Sequence, residues 1–275
     1  MPSNREAYFE ALRLNIPKSI IEFTLKEVNN FNSFDLTKYF DEEIKDYLLF
    51  KDAIKRYQNG EMIEYVFGKT YFLSRPFMVN KDVLIPRQET EQLVLRSIDL
   101  IKEKFGDKVV SIADICTGSG CIGISIAKEL PNNQYLLTDI SKAAIKIAKQ
   151  NRELIADSQT KISFAIGDML EPLQNKKFDV IVCNPPYIED SNTIDKRTWE
   201  QEPHLALLAN PSTYFYETIF KNYSSYVNEH FLIAFEIGED MKDKLTALVK
   251  NYCPNCSFYF ENDIYGKTRF LFIQM

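Results

Sequence analysis

Between Arg5 and about Tyr65 the apolar positions recur every three or four residues: Tyr8, Leu12 and Leu14, then Ile20, Ile21, Phe23 and Leu25, then Tyr47, Leu48, Phe50 and Ile54. One apolar stripe per run is what an amphipathic helix needs to bury a face and keep the rest in water. Asn29-Asn30 and Asn59-Gly60 interrupt the runs with turn-forming residues, so the pattern predicts short helices and no strands. From Thr70 to about Leu84 it changes to aromatic and β-branched residues, Tyr71, Phe72, Phe77 and Val79, around Ser74-Arg75-Pro76, which predicts a hairpin turning at those three residues.

Helical and strand patterns then alternate. A helix over Glu89–Phe105, a strand Val109–Ile115, a helix Gly120–Leu130, a strand Tyr135–Asp139, a helix from Ser141, and strands Ile162–Ile166 and Phe178–Cys183 follow in turn. That order predicts a parallel sheet with helices on both faces. The last part reads as helices Tyr214–Asn228 and Met241–Lys250 with strands Phe231–Ile237, Ser257–Phe260 and Arg269–Ile273. Only the short turn Glu261–Lys267 separates the final two strands, so they pair antiparallel. The boundaries that follow are a helical domain over 1–68, a hairpin linker over 69–86 and an α/β domain over 87–275.

Composition narrows the function. The chain has 275 residues, 45% hydrophobic and 26% charged, the balance of a folded protein with a sizeable core. Its net charge of −6 supplies no global field for a phosphate backbone, which argues against a bulk nucleic-acid binder. Five cysteines, an odd number, and a start without the charged-then-apolar pattern of a secretory signal point to a reduced, cytoplasmic protein. No apolar run is long enough for a membrane span, and two histidines, His204 and His230, leave little material for a metal cage.

Candidate chemistry sits at two strand exits. Asp114-Ile115-Cys116-Thr117-Gly118-Ser119-Gly120 leads from the first sheet strand into its helix, at the carboxyl edge where open α/β sheets hold ligands. Read on to Gly123, it satisfies the dinucleotide pattern, so a nicotinamide dehydrogenase is one reading. Asp139 ends the next strand at the spacing from which an acid hydrogen-bonds a ribose diol, which widens the reading to any adenosine-containing cofactor; the alternative is that Asp139 caps the following helix. Asp114 either takes the ammonium of an amino-acid cofactor or braces the turn.

The second exit is Asn184-Pro185-Pro186-Tyr187, after the strand Phe178–Cys183. A planar nitrogen, amide or ring amine, has a delocalised lone pair. It attacks a methyl group once its two N–H bonds are fixed on acceptors and the lone pair faces the electrophile. Asn184 offers its side-chain oxygen and Pro185 its carbonyl. Prolines add no competing N–H, and Tyr187 supplies a ring to stack on the planar group. The work is positioning, with no general base needed before transfer.

This constellation resembles the S-adenosylmethionine-dependent amino-methyltransferases, and more closely the bacterial peptide chain release factor glutamine methyltransferases, the PrmC/HemK family. The likeness is carried by Gly60-Glu61-Met62-Ile63-Glu64-Tyr65-Val66-Phe67-Gly68, by Leu84-Ile85-Pro86-Arg87-Gln88-Glu89-Thr90-Glu91, by Glu202-Pro203-His204-Leu205-Ala206-Leu207, and by Gly266 and Arg269. The first 60 residues match only in being helical. The resemblance implies an α/β seven-stranded Rossmann-like class I methyltransferase sheet with its last strands antiparallel, preceded by a small all-helical domain that helps grip a release factor. It implies S-adenosyl-L-methionine as cofactor, S-adenosyl-L-homocysteine as product, and methylation of the glutamine amide in a Gly-Gly-Gln loop, which modulates translation termination. Its cofactor residues would be Asp114, Cys116, Thr117, Gly118, Ser119, Gly120, Asp139, Asp168, Met169 and Asn184; Asn184, Pro185 and Tyr187 would be catalytic, and Asn184 to Tyr187 would hold substrate. Cys116 departs from the glycine usual there, and Asp168 could equally end its strand.

The competing reading is a nucleic-acid methyltransferase acting on adenine or guanine amino groups with the same tetrapeptide. The charge balance favours a protein substrate without direct nucleic-acid or membrane binding, and a monomer is the default expectation. Cys253 and Cys256 have the spacing of half a metal site but lack a second pair, and His204 reads as a surface-loop residue. Arg87 and Glu89 either line the cofactor pocket or simply open their helix.

Overall fold

Ser3 caps the first helix by accepting from the Glu6 backbone N–H while Glu6 reaches back to Ser3, so the chain is helical almost from its start. The computed structural model describes residues 1–275, the side chain of Ser33 aside. By its contacts the chain divides into two compact units, residues 1–68 and 69–275.

The first unit is α1 (Asn4–Arg13), α2 (Lys18–Asn29), α3 (Ser33–Lys38), α4 (Tyr47–Gln58) and α5 (Ile63–Phe67). Ala7, Ala11, Ile21, Leu25, Phe50 and Ile54 form its core. The buried Asn29 ties α1 to the segment before α4: its Nδ2 donates to Asn4 Oδ1 at 2.8 Å and its Oδ1 accepts from the Lys45 N–H at 2.8 Å.

The second unit opens with a hairpin of β1 (Lys69–Phe72) and β2 (Arg75–Met78). Its turn lies at Leu73-Ser74, both left-handed with φ of 48° and 61°, not at Ser74-Arg75-Pro76. Two successive left-handed residues match the twist of the strands, and Pro76 stays in β2, exposed and opposite Tyr71. The chain then runs through α6 (Gln88–Phe105), β3 (Ser111–Ile115), α7 (Cys121–Glu129), β4 (Gln134–Asp139), α8 (Lys142–Ile155), β5 (Lys161–Ile166), β6 (Phe178–Cys183) and α9 (Lys196–Gln201). It ends with α10 (Tyr214–Asn222), β7 (Val227–Glu236), α11 (Lys242–Tyr252), β8 (Ser257–Asn262) and β9 (Thr268–Gln274).

The seven strands lie in the order β5-β4-β3-β6-β7-β9-β8. β9 pairs antiparallel with both β7 and β8, while the remaining pairs are parallel. The order reverses beside β3, which sets its carboxyl end and that of β4 at the crevice where such sheets take ligands. The central strands are buried on both faces, as the apolar runs require. Ile112, Val180, Val182 and Leu232 meet α6 and α7 on one side, and Ile115, Ile181, Ile233 and Phe235 meet α10 and α11 on the other. α10 stops at Asn222, six residues before the sequence pattern does, because the Tyr226 carbonyl accepts from the Phe178 N–H at 2.8 Å and Val227 pairs with Phe178. The sheet takes the backbone that the apolar periodicity assigns to the helix.

Candidate active site

The chain leaves β3 through Cys116, Gly118 and Gly120, with φ of 58°, 55° and 83°. Left-handed backbone suits glycine at the last two and strains Cys116, which takes a conformation L side chains rarely adopt. Asp114 holds the turn from beneath. Fully buried, its Oδ2 accepts from Thr117 Oγ1 at 2.5 Å and from the Gly123 N–H at 2.9 Å. Burial pushes its carboxyl up to about 7 against these two hydrogen bonds. Gly123 is small because a Cβ would lie 2.8 Å from that oxygen and 2.9 Å from Leu137. From the other side, Asn151 of α8 donates to the Ser119 carbonyl at 2.8 Å and to the Met78 carbonyl at 3.0 Å, and accepts from the Met78 N–H at 2.6 Å. The hairpin and the glycine turn therefore share one buried amide.

Asp139 ends β4 facing this turn. Its Oδ2 accepts from the Gly118 N–H and its Oδ1 from the Ser141 N–H, both at 2.9 Å. Each oxygen keeps a lone pair, and burial pushes the carboxyl upward. The helix cap is Ser141, which accepts from the Ala144 N–H at 3.1 Å.

Turn, acid and the exit of β6 surround a cavity of about 310 Å³. Cys116, Thr117, Gly118, Ser119, Asp139, Asp168, Met169, Asn184 and Pro186 line it, with Ile115, Ile140 and Ala144 as apolar wall. Asp114, Gly120, Pro185 and Tyr187 are not in the lining; Asp114 acts on the wall from behind. The cavity suits an adenosine ligand: a small-residue turn open at Gly118, where a Cβ would meet nothing within 4 Å, a carboxylate with free lone pairs for a diol, and an apolar slot for a base.

Asn184 lies between this cavity and a buried polar pair. Its Nδ2 donates to Thr90 Oγ1 at 3.4 Å, and Thr90 Oγ1 donates to Glu236 Oε2 at 2.6 Å. Glu236 ends β7, is 3% exposed, and burial raises its carboxyl. Tyr187 packs near Gly238, where a Cβ would come within 3.3 Å of its ring, and burial raises its hydroxyl. At the rim, Arg87 pairs with Glu202, whose side chain is fully buried and also accepts from the Ile85 N–H at 3.0 Å. This cross-link ties the segment before α6 to the loop after the tetrapeptide. In that loop His204 stacks on Trp199 with centroids 3.5 Å apart, and its Nε2 lies 2.8 Å from the Trp199 carbonyl oxygen.

Sequence reasoning missed Thr90, Asn151 and Glu236. The one legible signal was Glu236, a lone carboxylate closing the apolar strand Phe231–Phe235. Arg87, left open in the sequence, lines the cavity.

A seven-stranded sheet in this order, with a glycine turn after its first strand and an acid after its second, defines an S-adenosylmethionine-dependent class I methyltransferase. The Methyltransferase small domain matches residues 94–204. A release factor glutamine methyltransferase of Bacillus cereus is 34% identical over 231 residues, covering 82% of this chain and 81% of that protein. One of Staphylococcus aureus is 30% identical and covers 98% of each chain. The solved hMettl16 catalytic domain in complex with MAT2A 3'UTR hairpin 1 shares the fold, with a TM-score of 0.58 at 15% identity over 97% of this chain and 90% of that one. The chain belongs to the release factor glutamine methyltransferase family.

Proposed function

We propose that the enzyme methylates the side-chain amide nitrogen of the glutamine in the Gly-Gly-Gln loop of peptide chain release factors. The observation that carries this reading is the polarity of Asn184: its NH₂ is taken by Thr90, so its oxygen is the atom left for a substrate at the cavity. That oxygen and the Pro185 carbonyl accept the two N–H bonds of the target amide and aim its lone pair at the methyl donor. Tyr187 holds the plane of the amide. Bound S-adenosylmethionine supplies an electrophilic methyl group on sulfur. Gly118 and its neighbours give the methionine end room, Asp139 accepts from the ribose hydroxyls, and Asp168 and Met169 edge the base. Asp114 braces the turn. The methylated nitrogen is acidic immediately after transfer, so its proton passes to solvent without a dedicated base.

The net charge of −6 supports a protein substrate over a nucleic acid. No helix among the described residues is long and apolar enough to cross a membrane. The helical unit would help grip the release factor, in the cytoplasm, with the enzyme acting as a monomer. Incubation with methyl-labelled S-adenosylmethionine and either a purified release factor or bulk tRNA, rRNA and DNA, followed by peptide and nucleoside mass spectrometry, tests the proposal. Label on the Gly-Gly-Gln peptide is the expected result; label confined to nucleic acid refutes it.

A further inference from the structure

Hydrogen-bond polarity at the exit of β6 is set from two residues distant from it in sequence: Thr90, whose methyl-and-hydroxyl side chain belongs to the cavity wall, and Glu236 behind it. Thr90 is 2% exposed on α6 and Glu236 3% exposed at the end of β7, separated by 146 residues. A hydroxyl has one proton. Thr90 commits it to Glu236 Oε2 at 2.6 Å, so what remains toward Asn184 is a lone pair, and a lone pair accepts only the NH₂ edge of a carboxamide. An asparagine at an open cavity otherwise turns over by half a rotation and presents NH₂ to the substrate, where two donors would face each other. We infer that Thr90 and Glu236 are positioning residues that lock the Asn184 carboxamide in the one orientation able to accept from a substrate N–H.

The inference rests on the amide-transfer reading above and adds a condition on it: the relay works only while Glu236 is an acceptor. If Glu236 takes up a proton, its carboxyl donates to Thr90, the hydroxyl turns its own proton toward Asn184, and the carboxamide flips. Groups facing Glu236 are Thr90 and Glu89 from α6, Arg269 from β9, Asn184 and Tyr187 beyond β6, Tyr216 from α10 and Cys121 from α7. Burial is the largest effect and opposes the charged carboxylate, as does Glu89, while the hydrogen bonds from Thr90 and Asn184 and the charge of Arg269 favour it. Activity is therefore present above the Glu236 titration and lost below it, with the acid limb displaced upward from the ordinary carboxylate range.

Thr90→Val keeps the shape and removes the relay; Thr90→Ser restores it; Glu236→Gln keeps an acceptor and removes the titration. Each is assayed on a release factor for kcat, for KM of S-adenosylmethionine and for binding of S-adenosylhomocysteine by calorimetry, with thermal unfolding alongside. Expected is a kcat loss of about tenfold or more in Thr90→Val with cofactor binding within about twofold, and recovery to within about threefold in Thr90→Ser. In Glu236→Gln the acid limb of kcat flattens. A folded Thr90→Val enzyme with wild-type kcat overturns the inference, as does a Glu236→Gln enzyme that keeps the wild-type acid limb. If Thr90→Val does not fold, the Glu236→Gln profile decides. Wild-type enzyme inert on release factor would refute the substrate reading instead, so the two failures are separable.

Discussion

Two residues at the glycine turn carry costs of different kinds. Cys116 holds a φ of 58° that favours glycine, and its Sγ lies 3.7 Å from Met169 Sδ. Cys116→Gly should therefore raise stability by about 1 kcal/mol in urea unfolding, since the relieved backbone strain exceeds the small lost contact. A loss of stability would show that the thiol packing outweighs the strain. Asp114 is costly through its charge. Its folded-state carboxyl lies at about 7, whereas the unfolded value is near 4, so between these the unfolded chain releases a proton that the folded chain keeps. Its contribution to stability accordingly declines as pH rises from about 4 to about 7 and is level beyond. Asp114→Asn keeps an oxygen for Thr117 and Gly123 and does not titrate. Its stability relative to wild type should climb across that window; a constant difference contradicts the assignment.

At the scale of elements, the rim depends on one cross-link. Arg87 is 36% exposed and its partner Glu202 fully buried, so Arg87→Ala removes the cation from a carboxylate that cannot reach water. The expected loss is about 1–3 kcal/mol, discounted for the exposed partner, with faster protease cleavage in the loop following Tyr187. Unchanged cleavage would mean that the loop is held by other contacts. The strands that bear the site were legible because a strand buried on both faces writes a continuous apolar run, as residues 180–183 do, and because the turn and tetrapeptide lie directly after such runs. The Thr90–Glu236 pair was not, since it joins α6 to β7 across 146 residues, and a lone carboxylate after an apolar strand does not name its partner. The end of α10 was misread for a related reason: helical periodicity over Tyr223–Asn228 is local, whereas the Phe178 partner that pulls Val227 into the sheet is distant. The hairpin turn moved because Leu73 and Ser74 adopt left-handed backbone without glycine, which no turn signal announces.

For the whole molecule, the two units divide at Gly68 and Lys69, and the relative from Staphylococcus aureus spans both. The residues proposed for transfer lie at one carboxyl edge of the sheet, with the proposed cofactor contacts after β3, β4 and β5 and the proposed amide acceptors after β6. On the proposed assignment cofactor binding and nitrogen presentation use different strands, so a substitution at one should spare the other. The most direct measurement pairs two numbers on Asn184→Ala: its Kd for S-adenosylmethionine and its single-turnover rate on release factor. Affinity within about twofold of wild type with a rate lower by about 10²-fold or more is the expected pair. A rate that falls only as far as affinity does would contradict the role given to the Asn184 oxygen.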